Sequence, residues 1–440
     1  MDVEGFVRRM QKEGRSPEEI VSLLAAHVDR IKGCGQEYAV AFAGAVMEEV
    51  RRSSGLQGDL FSFEHSGTGM GDFGVGSRGT GDFYVHRKIA EIIGKSGAVV
   101  GVEDMDDAGA VRAKGNYIVC TVDGMHSRLS DFPFLAGFHV TRATMRDVYV
   151  MGARPVMLFS DIHVADDGDV AKIFDYTAGV TTVGEAMGVP LVAGSTLRIG
   201  GDMVLGDRMT GCVGAVGVAE HLTPRREVVP GDMLLMTEGA GGGTIATAAI
   251  YSGNPEVVER TINLHFLRAC EALLSSEVFT EVHAMTDVTN GGLRGDVHEL
   301  SQTCRCRIVV EEAPLRHLID PAVLSLLDRL RIDHLGVSID ALLVASPPDV
   351  AEEVMRVVRG AGVEMREIGH VEEGRPEGVL LKGGEETGFE PGFRESAYTP
   401  LKRVVEGCER DREAMRAGID RAAAAAQEKK RRVLERLRGA

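Results

Sequence analysis

Three short segments of the chain concentrate oxygen donors beside glycine. Glu103-Asp104-Met-Asp106-Asp107 is an acidic run that leads into Ala-Gly-Ala-Val. Thr121-Val-Asp123-Gly sets an aspartate at the end of an apolar segment, and Thr286-Asp287-Val-Thr289-Asn-Gly-Gly sets another before a glycine turn. Hard cations such as Mg²⁺ take several oxygen ligands and leave the remaining positions to nucleotide phosphates. Singly, each aspartate reads as a turn or cap residue. In combination, and facing a glycine-rich loop, they read as a Mg²⁺–ATP site.

That loop is residues 66–82, SGTGMGDFGVGSRGTGD, which holds seven of the 55 glycines. Gly74-Val-Gly76-Ser-Arg78-Gly79 and Gly69-Met-Gly71-Asp-Phe-Gly74 both spell G-x-G-x-x-G. A dinucleotide fingerprint needs a tight turn directly after a buried strand, and the apolar segment before this loop is short. A P-loop sequence is absent. Many glycines spread over a long loop suit backbone N–H groups folding over phosphates. On that reading Gly76, Arg78, Gly79 and Gly81 line a nucleotide. The loop would then be protease-sensitive without nucleotide and protected with it, because glycine-rich chain loses most entropy on ordering. Lys88 and Arg78 are either contacts for the transferring phosphate or solvated charges. His126, close to Asp123, is either an acid/base group or a structural histidine.

The elements that position these residues follow from local patterns. Ser16-Pro17-Glu18-Glu19 opens a helix with a cap, a proline and first-turn acids, and a second helix spans about 36–52. These form a helical cap over residues 1–58. Segments 98–102, 116–123, 154–164, 189–195 and 209–219 have strand composition, with helices near 135–151 and 168–187. They make a first α/β unit, 59–220. Pro224 and Pro230-Gly231-Asp232 punctuate a boundary, and a second α/β unit spans 221–390. Residues 391–440 form a helical tail; from 401 onward it carries 12 basic and 7 acidic residues. The tail either binds a partner or docks on the acidic body or the cap.

Composition narrows the classes. The 440 residues carry a formal charge of −17, which repels phosphate backbones and anionic membranes and so disfavours nucleic acid as partner. No apolar run is long enough to span a membrane. The seven cysteines are odd in number and scattered, which reads as reduced core cysteines in a cytoplasmic protein.

In order along the chain, DDAGAV, TVDGMH, RDVYVMGARP, GVPLVAGST, TGCVGAVG, PGDMLLMT, TDVTNGGL and the pair GVSIDALLVA–REIGHVEE resemble the aminoimidazole ribonucleotide (AIR) synthetase superfamily. That group includes selenophosphate synthetase, the hydrogenase-maturation protein HypE and thiamine-monophosphate kinase. The resemblance spans about 66–375 and implies an α+β fold of two α/β halves, with the N-terminal halves paired in a homodimer. It implies ATP in a cleft under the glycine-rich loop, with Mg²⁺ held by Asp106, Asp107, Asp123 and Asp287. It also places Gly194, Ser195 and Thr196, at the end of a strand, beside the nucleotide with Asp147. The implied activity is phosphoryl transfer from ATP to a small molecule, with Lys88 and His126 as catalytic candidates. The alternatives are a HypE-like factor acting on a partner protein, or a nucleotide-binding scaffold. The chain departs from the family in three places. Its loop lacks the cysteine and lysine of selenophosphate synthetases. It ends Arg-Leu-Arg-Gly-Ala rather than in the modified cysteine of HypE, with Cys408 earlier in the chain. The helical cap and basic tail are additions.

Overall fold

A computed structural model describes residues 1–289, 291–407 and 410–439; Asn290 of the TDVTNGGL motif and Cys408 lie outside the described residues. The chain opens with three helices, Val3–Lys12, Pro17–Lys32 and Gln36–Ser53, where the sequence predicts two. Ser16 and Glu19 form the expected capping box, and Asp2 caps the unforeseen first helix. The three helices bury their own small core, including Val7, Leu24, Val28 and Val46. Lys32 pins this cap to the body through Asp166 at 2.5 Å and Asp167 at 2.7 Å.

The first sheet contains β1 (Gly109–Ala113), β2 (Asn116–Gly124), β3 (Arg154–Val164), β4 (Leu191–Arg198) and β5 (Met209–Ala219). Their order is β1-β2-β5-β3-β4, antiparallel except for the β3–β4 pair. Residues 98–102, predicted as a strand, make a single bridge from Val100 to Ala110; the strand forms at β1, where Ala-Val-Arg can pair along β2. Helices Pro133–Val150 and Ala171–Met187 cover one face of the sheet. They interlock closely: a Cβ on Gly137 would stand 2.1 Å from the Tyr176 carbonyl oxygen, and one on Gly179 2.2 Å from that of Phe134. Val122, Val156, Phe159, Val192 and Leu197 are exposed along this sheet.

The second sheet contains β6 (Met233–Thr237), β7 (Ala284–Val288), β8 (Arg307–Glu311), β9 (Ala341–Ser346), β10 (Met365–Glu372), β11 (Glu377–Lys382) and β12 (Glu385–Gly388), in the order β12-β11-β8-β10-β6-β9-β7. The hairpin β11–β12 turns on Gly383-Gly384, both at positive φ, a Gly-Gly turn signal passed over in the sequence. The halves share one core: Met145 and Val148 of the first join Leu235, Phe266 and Leu342 of the second. Helix Pro133–Val150 is therefore buried on nearly all sides.

The tail helix, Arg412–Arg438, docks on helix Thr80–Ile93 of the first α/β unit. Tyr84 donates to Asp420 at 2.6 Å, and Arg432 donates to Asp59 at 2.7 Å. Lys430 donates to the C-terminal carbonyl oxygens of Ile92 and Ile93, where a cation is favoured by the helix dipole.

Candidate functional site

A cleft of about 1000 Å³ opens between the halves. Its floor is charged. Asp123 comes from the end of β2 and Asp287 from the end of β7. Asp147 and Arg146 project from helix Pro133–Val150, and Asp340 from the turn before β9, where its φ is +57°. Asp106 and Asp107 enter just ahead of β1.

Guanidinium groups occupy the spaces between most of these carboxylates. Arg225, 1% exposed, donates its Nη2 to Asp107 at 2.5 Å and its backbone N–H to Asp106 at 3.0 Å. Thr286 accepts from Arg225 and donates to Asp107 at 2.8 Å. Arg146 sits 2.5 Å from Asp287 and 2.6 Å from Asp340. Arg142 pairs with Asp340 at 2.8 Å and donates to the carbonyl oxygens of Thr261, Asn263 and Gly241, which ties the halves together. Arg78 of the glycine-rich loop reaches Asp296 and Glu299, each at 3.4 Å.

Asp123 and Asp147 are different. Asp123 Oδ2 and Asp147 Oδ1 are shielded from solvent and have no hydrogen-bond partner. Burial pushes both carboxyl groups up, with Asp123 adding to the effect on Asp147 and Asp287 to that on Asp123; Arg146 opposes the rise at both without reversing it. Burial likewise raises Asp106, and raises Asp107 to about 7 despite Arg225. Asp287 goes the other way: burial opposes its charge, but Arg146, Arg78 and Arg225 outweigh burial and hold it below the usual carboxylate range.

The four aspartates expected around Mg²⁺, Asp106, Asp107, Asp123 and Asp287, all line the cleft, but they differ in their neighbours. Among the described residues no three His, Cys, Asp or Glu side chains converge as a metal site. Arg225 already neutralises Asp106 and Asp107, and Arg146 neutralises Asp287. The pair most open to a divalent cation is Asp123 with Asp147: each keeps a buried oxygen that accepts no hydrogen bond, and the nearest guanidinium, that of Arg146, stands 3.5 Å from Asp147 but 2.5 Å from Asp287.

Other predicted residues separate in the same way. Gly76 lines the cleft at φ +82° with open space around it. However, its N–H donates to Asp82 at 2.8 Å, as does that of Arg78, so these amides are already satisfied. Gly79 and Gly81 do not face the cleft. A Cβ on Gly79 would stand 2.4 Å from the Phe393 carbonyl oxygen, and one on Gly81 2.2 Å from that of Phe73. These glycines permit packing. Lys88 points away from the cleft toward Glu91 at 3.0 Å and Asp420 at 3.3 Å, on the tail-helix side. Gly194, Ser195 and Thr196 lie exposed on the edge strand β4, outside the cleft.

His126 does line the cleft. Its Nε2 lies 2.9 Å from the Tyr398 hydroxyl and its Nδ1 3.1 Å from that of Thr247. Burial, with Lys402 and Arg128 nearby, lowers it to about 4, so the ring is neutral at pH 7. His139, missed in the sequence, also lines the cleft. The Thr261 hydroxyl donates to the Val258 carbonyl at 2.6 Å, so His139 Nε2 is the donor to Thr261 at 3.3 Å. That leaves Nδ1 unprotonated and without a partner. Arg142, Arg225, Asp340, Glu395 and Tyr398 were missed as well. Arg225 stands in a proline-marked boundary and Asp340 inside a quoted motif, but nothing in their spacing pairs them with residues more than a hundred positions away.

Known proteins share this sequence and fold. Residues 105–219 match the family described as AIR synthase related protein, N-terminal domain, and residues 229–382 match its C-terminal domain. An uncharacterised protein of Methanocaldococcus jannaschii is 47% identical over 100% of this chain and 98% of its own. The selenide, water dikinase of Myxococcus xanthus is 27% identical over 63% of this chain and 86% of its own. Among solved structures, the hydrogenase maturation protein HypE in complex with ATP superposes with a TM-score of 0.55 at 20% identity, covering 71% of this chain and 96% of that one. With two matched domains in order, and a fold shared with HypE, the chain belongs to the AIR synthase related family.

Proposed function

We propose that this protein binds Mg²⁺–ATP in the cleft and transfers the terminal phosphoryl group to a small-molecule acceptor. The observation that carries this reading is the pair Asp123–Asp147 on the cleft floor, each with a buried oxygen that accepts no hydrogen bond, beneath the glycine-rich loop. Phosphoryl transfer depends on alignment and charge neutralisation more than on covalent catalysis. Mg²⁺ held by Asp123 and Asp147 would neutralise phosphate charge there. Arg146, clamped between Asp287 and Asp340, keeps its guanidinium beside that pair and fixes the helix that carries Asp147. Neutral His126, held on both nitrogens, presents an uncharged polar wall suited to the acceptor. The ATP-bound HypE relative and the dikinase relative support nucleotide use.

In the same reading the exposed apolar residues Val122, Phe159, Val192 and Leu197 meet a second copy of the chain, which gives β4 and its Gly194–Thr196 an interface role. Calorimetry with Mg²⁺–ATP, beside phosphate release, tests the site. Wild type should bind and turn over nucleotide, and Asp123→Asn should do neither. Equal binding by both forms would overturn the assignment.

A further inference from the structure

Residues 391–406 follow the second matched domain, which ends at residue 382. Yet they form part of the cleft wall: Arg394, Glu395, Tyr398 and Lys402 all line it. The same segment is laced to the glycine-rich loop. Thr80 N–H donates to the Gly392 carbonyl at 3.0 Å, and Gly81 N–H to that of Phe393 at 3.3 Å. Glu395 N–H donates to the Ser77 carbonyl at 3.1 Å. Arg394 Nη2 donates to the Asp72 carbonyl at 2.6 Å. The Phe393 ring stands edge-on to Phe73 with centroids 5.2 Å apart, and Arg412 of the tail helix covers its other side at 4.4 Å. Ser396 N–H, donating to the Gly336 carbonyl at 2.9 Å, anchors the segment to the second half. Where the two segments touch, Gly79 and Gly81 of the loop leave no room for a Cβ.

Free glycine-rich chain pays the largest ordering entropy of any sequence, so a loop of this composition would normally order only on its ligand. Here backbone bonds along its whole second half hold it against the segment. We propose that residues 392–396 are a built-in strap that holds the glycine-rich loop over the cleft before nucleotide arrives, with Phe393 and Arg394 as positioning residues for nucleotide binding. The proposal rests on the Mg²⁺–ATP reading for its nucleotide part and reverses the expectation of a loop that is loose until ligand binds.

Trypsin can cut after Arg78 only when the loop leaves the strap. Without nucleotide, wild type should resist that cut. Phe393→Ala and Arg394→Ala should be cut about tenfold faster, the order expected for losing one charge-assisted hydrogen bond or its packing equivalent. Their affinity for Mg²⁺–ATP in calorimetry should fall by a similar factor while the global melting temperature stays within a few degrees. Arg394→Lys, which keeps a donor, should recover part of both. A merely structural role would lower the melting temperature and leave loop cleavage and affinity coupled to it. Rapid cleavage of wild type at Arg78, or equal slow cleavage in wild type and variants, would overturn the strap. If wild type fails to bind Mg²⁺–ATP, the cleft reading and the nucleotide part of the proposal both fall, and the cleavage rates alone decide whether the strap exists.

Discussion

Two groups of carboxylates share the floor of one cleft and live under opposite rules. Asp106, Asp107, Asp287 and Asp340 are clamped by Arg225, Arg146 and Arg142. Asp123 and Asp147 keep buried oxygens with no partner. The first group is structural charge, balanced within the protein. The second is only partly balanced, by the Arg146 guanidinium 3.5 Å from Asp147. The contrast separates residues that look alike in sequence: an Asp after a strand can be either, and how closely a guanidinium approaches it decides.

Substitutions should expose the contrast through opposite signs. The largest effect belongs to Arg225→Met. It strands Asp106 and Asp107 without their guanidinium and leaves Glu299 to Arg78 alone, and removing one partner of such a network costs about 3–5 kcal/mol, read by urea denaturation. Gly79→Ala forces a methyl group toward the Phe393 carbonyl and should cost about 1–3 kcal/mol, with the same readout. Asp123→Asn removes a like charge from beside Asp147 and should raise the stability of the metal-free protein, read by urea denaturation, while abolishing nucleotide binding. A destabilised Asp123→Asn protein would place Asp123 in the clamped group instead.

The pH dependence cuts across that division, since burial raises Asp107 of the clamped group as it raises Asp123 and Asp147. Asp107 and Glu395 titrate near 7 in the folded protein, above the ordinary carboxylate range, because burial raises both. A raised pKa gives stability that is complete below the unfolded value and is lost as pH rises through the folded one. Without metal, melting temperature should therefore fall between about pH 4 and 7 on account of these groups and level off above. Asp123 and Asp147 are raised too, and a cation prefers their charged forms. Stabilisation by Mg²⁺ should accordingly be greater at pH 8 than at pH 6 in thermal melts. The smallest expected effect is Lys88→Met, which should leave ATP turnover unchanged, since Lys88 faces Asp420 and not the cleft.

Much of the scaffold was legible in the sequence. The segments 154–164 and 209–219 are strands at those bounds, because β-branched runs ended by polar turn residues have few alternatives. The capping box at Ser16 and the tail helix follow from equally local chemistry. Less of the site was legible. The acidic runs identified the cleft floor, since Asp106, Asp107, Asp123 and Asp287 all line it. The guanidinium clamps were invisible because each joins residues far apart in the chain: Arg225 to Asp107, Arg146 to Asp340. The glycines of the loop misled at Gly79 and Gly81, because composition alone cannot tell a glycine that makes room for a ligand from one that makes room for Phe393.

The sequence by itself determined the local elements, the order of family motifs and the concentration of carboxylates and glycine around one cleft. Those depend on neighbours within a few residues, where propensity, capping and turn chemistry act. Tertiary structure alone decided which aspartates are neutralised, which way Lys88 points, that His126 is a neutral residue braced by Tyr398, and that residues 392–396 lie across the glycine-rich loop. Each of these is set by the meeting of distant segments, and by the loss of water that makes every unpaired charge there costly.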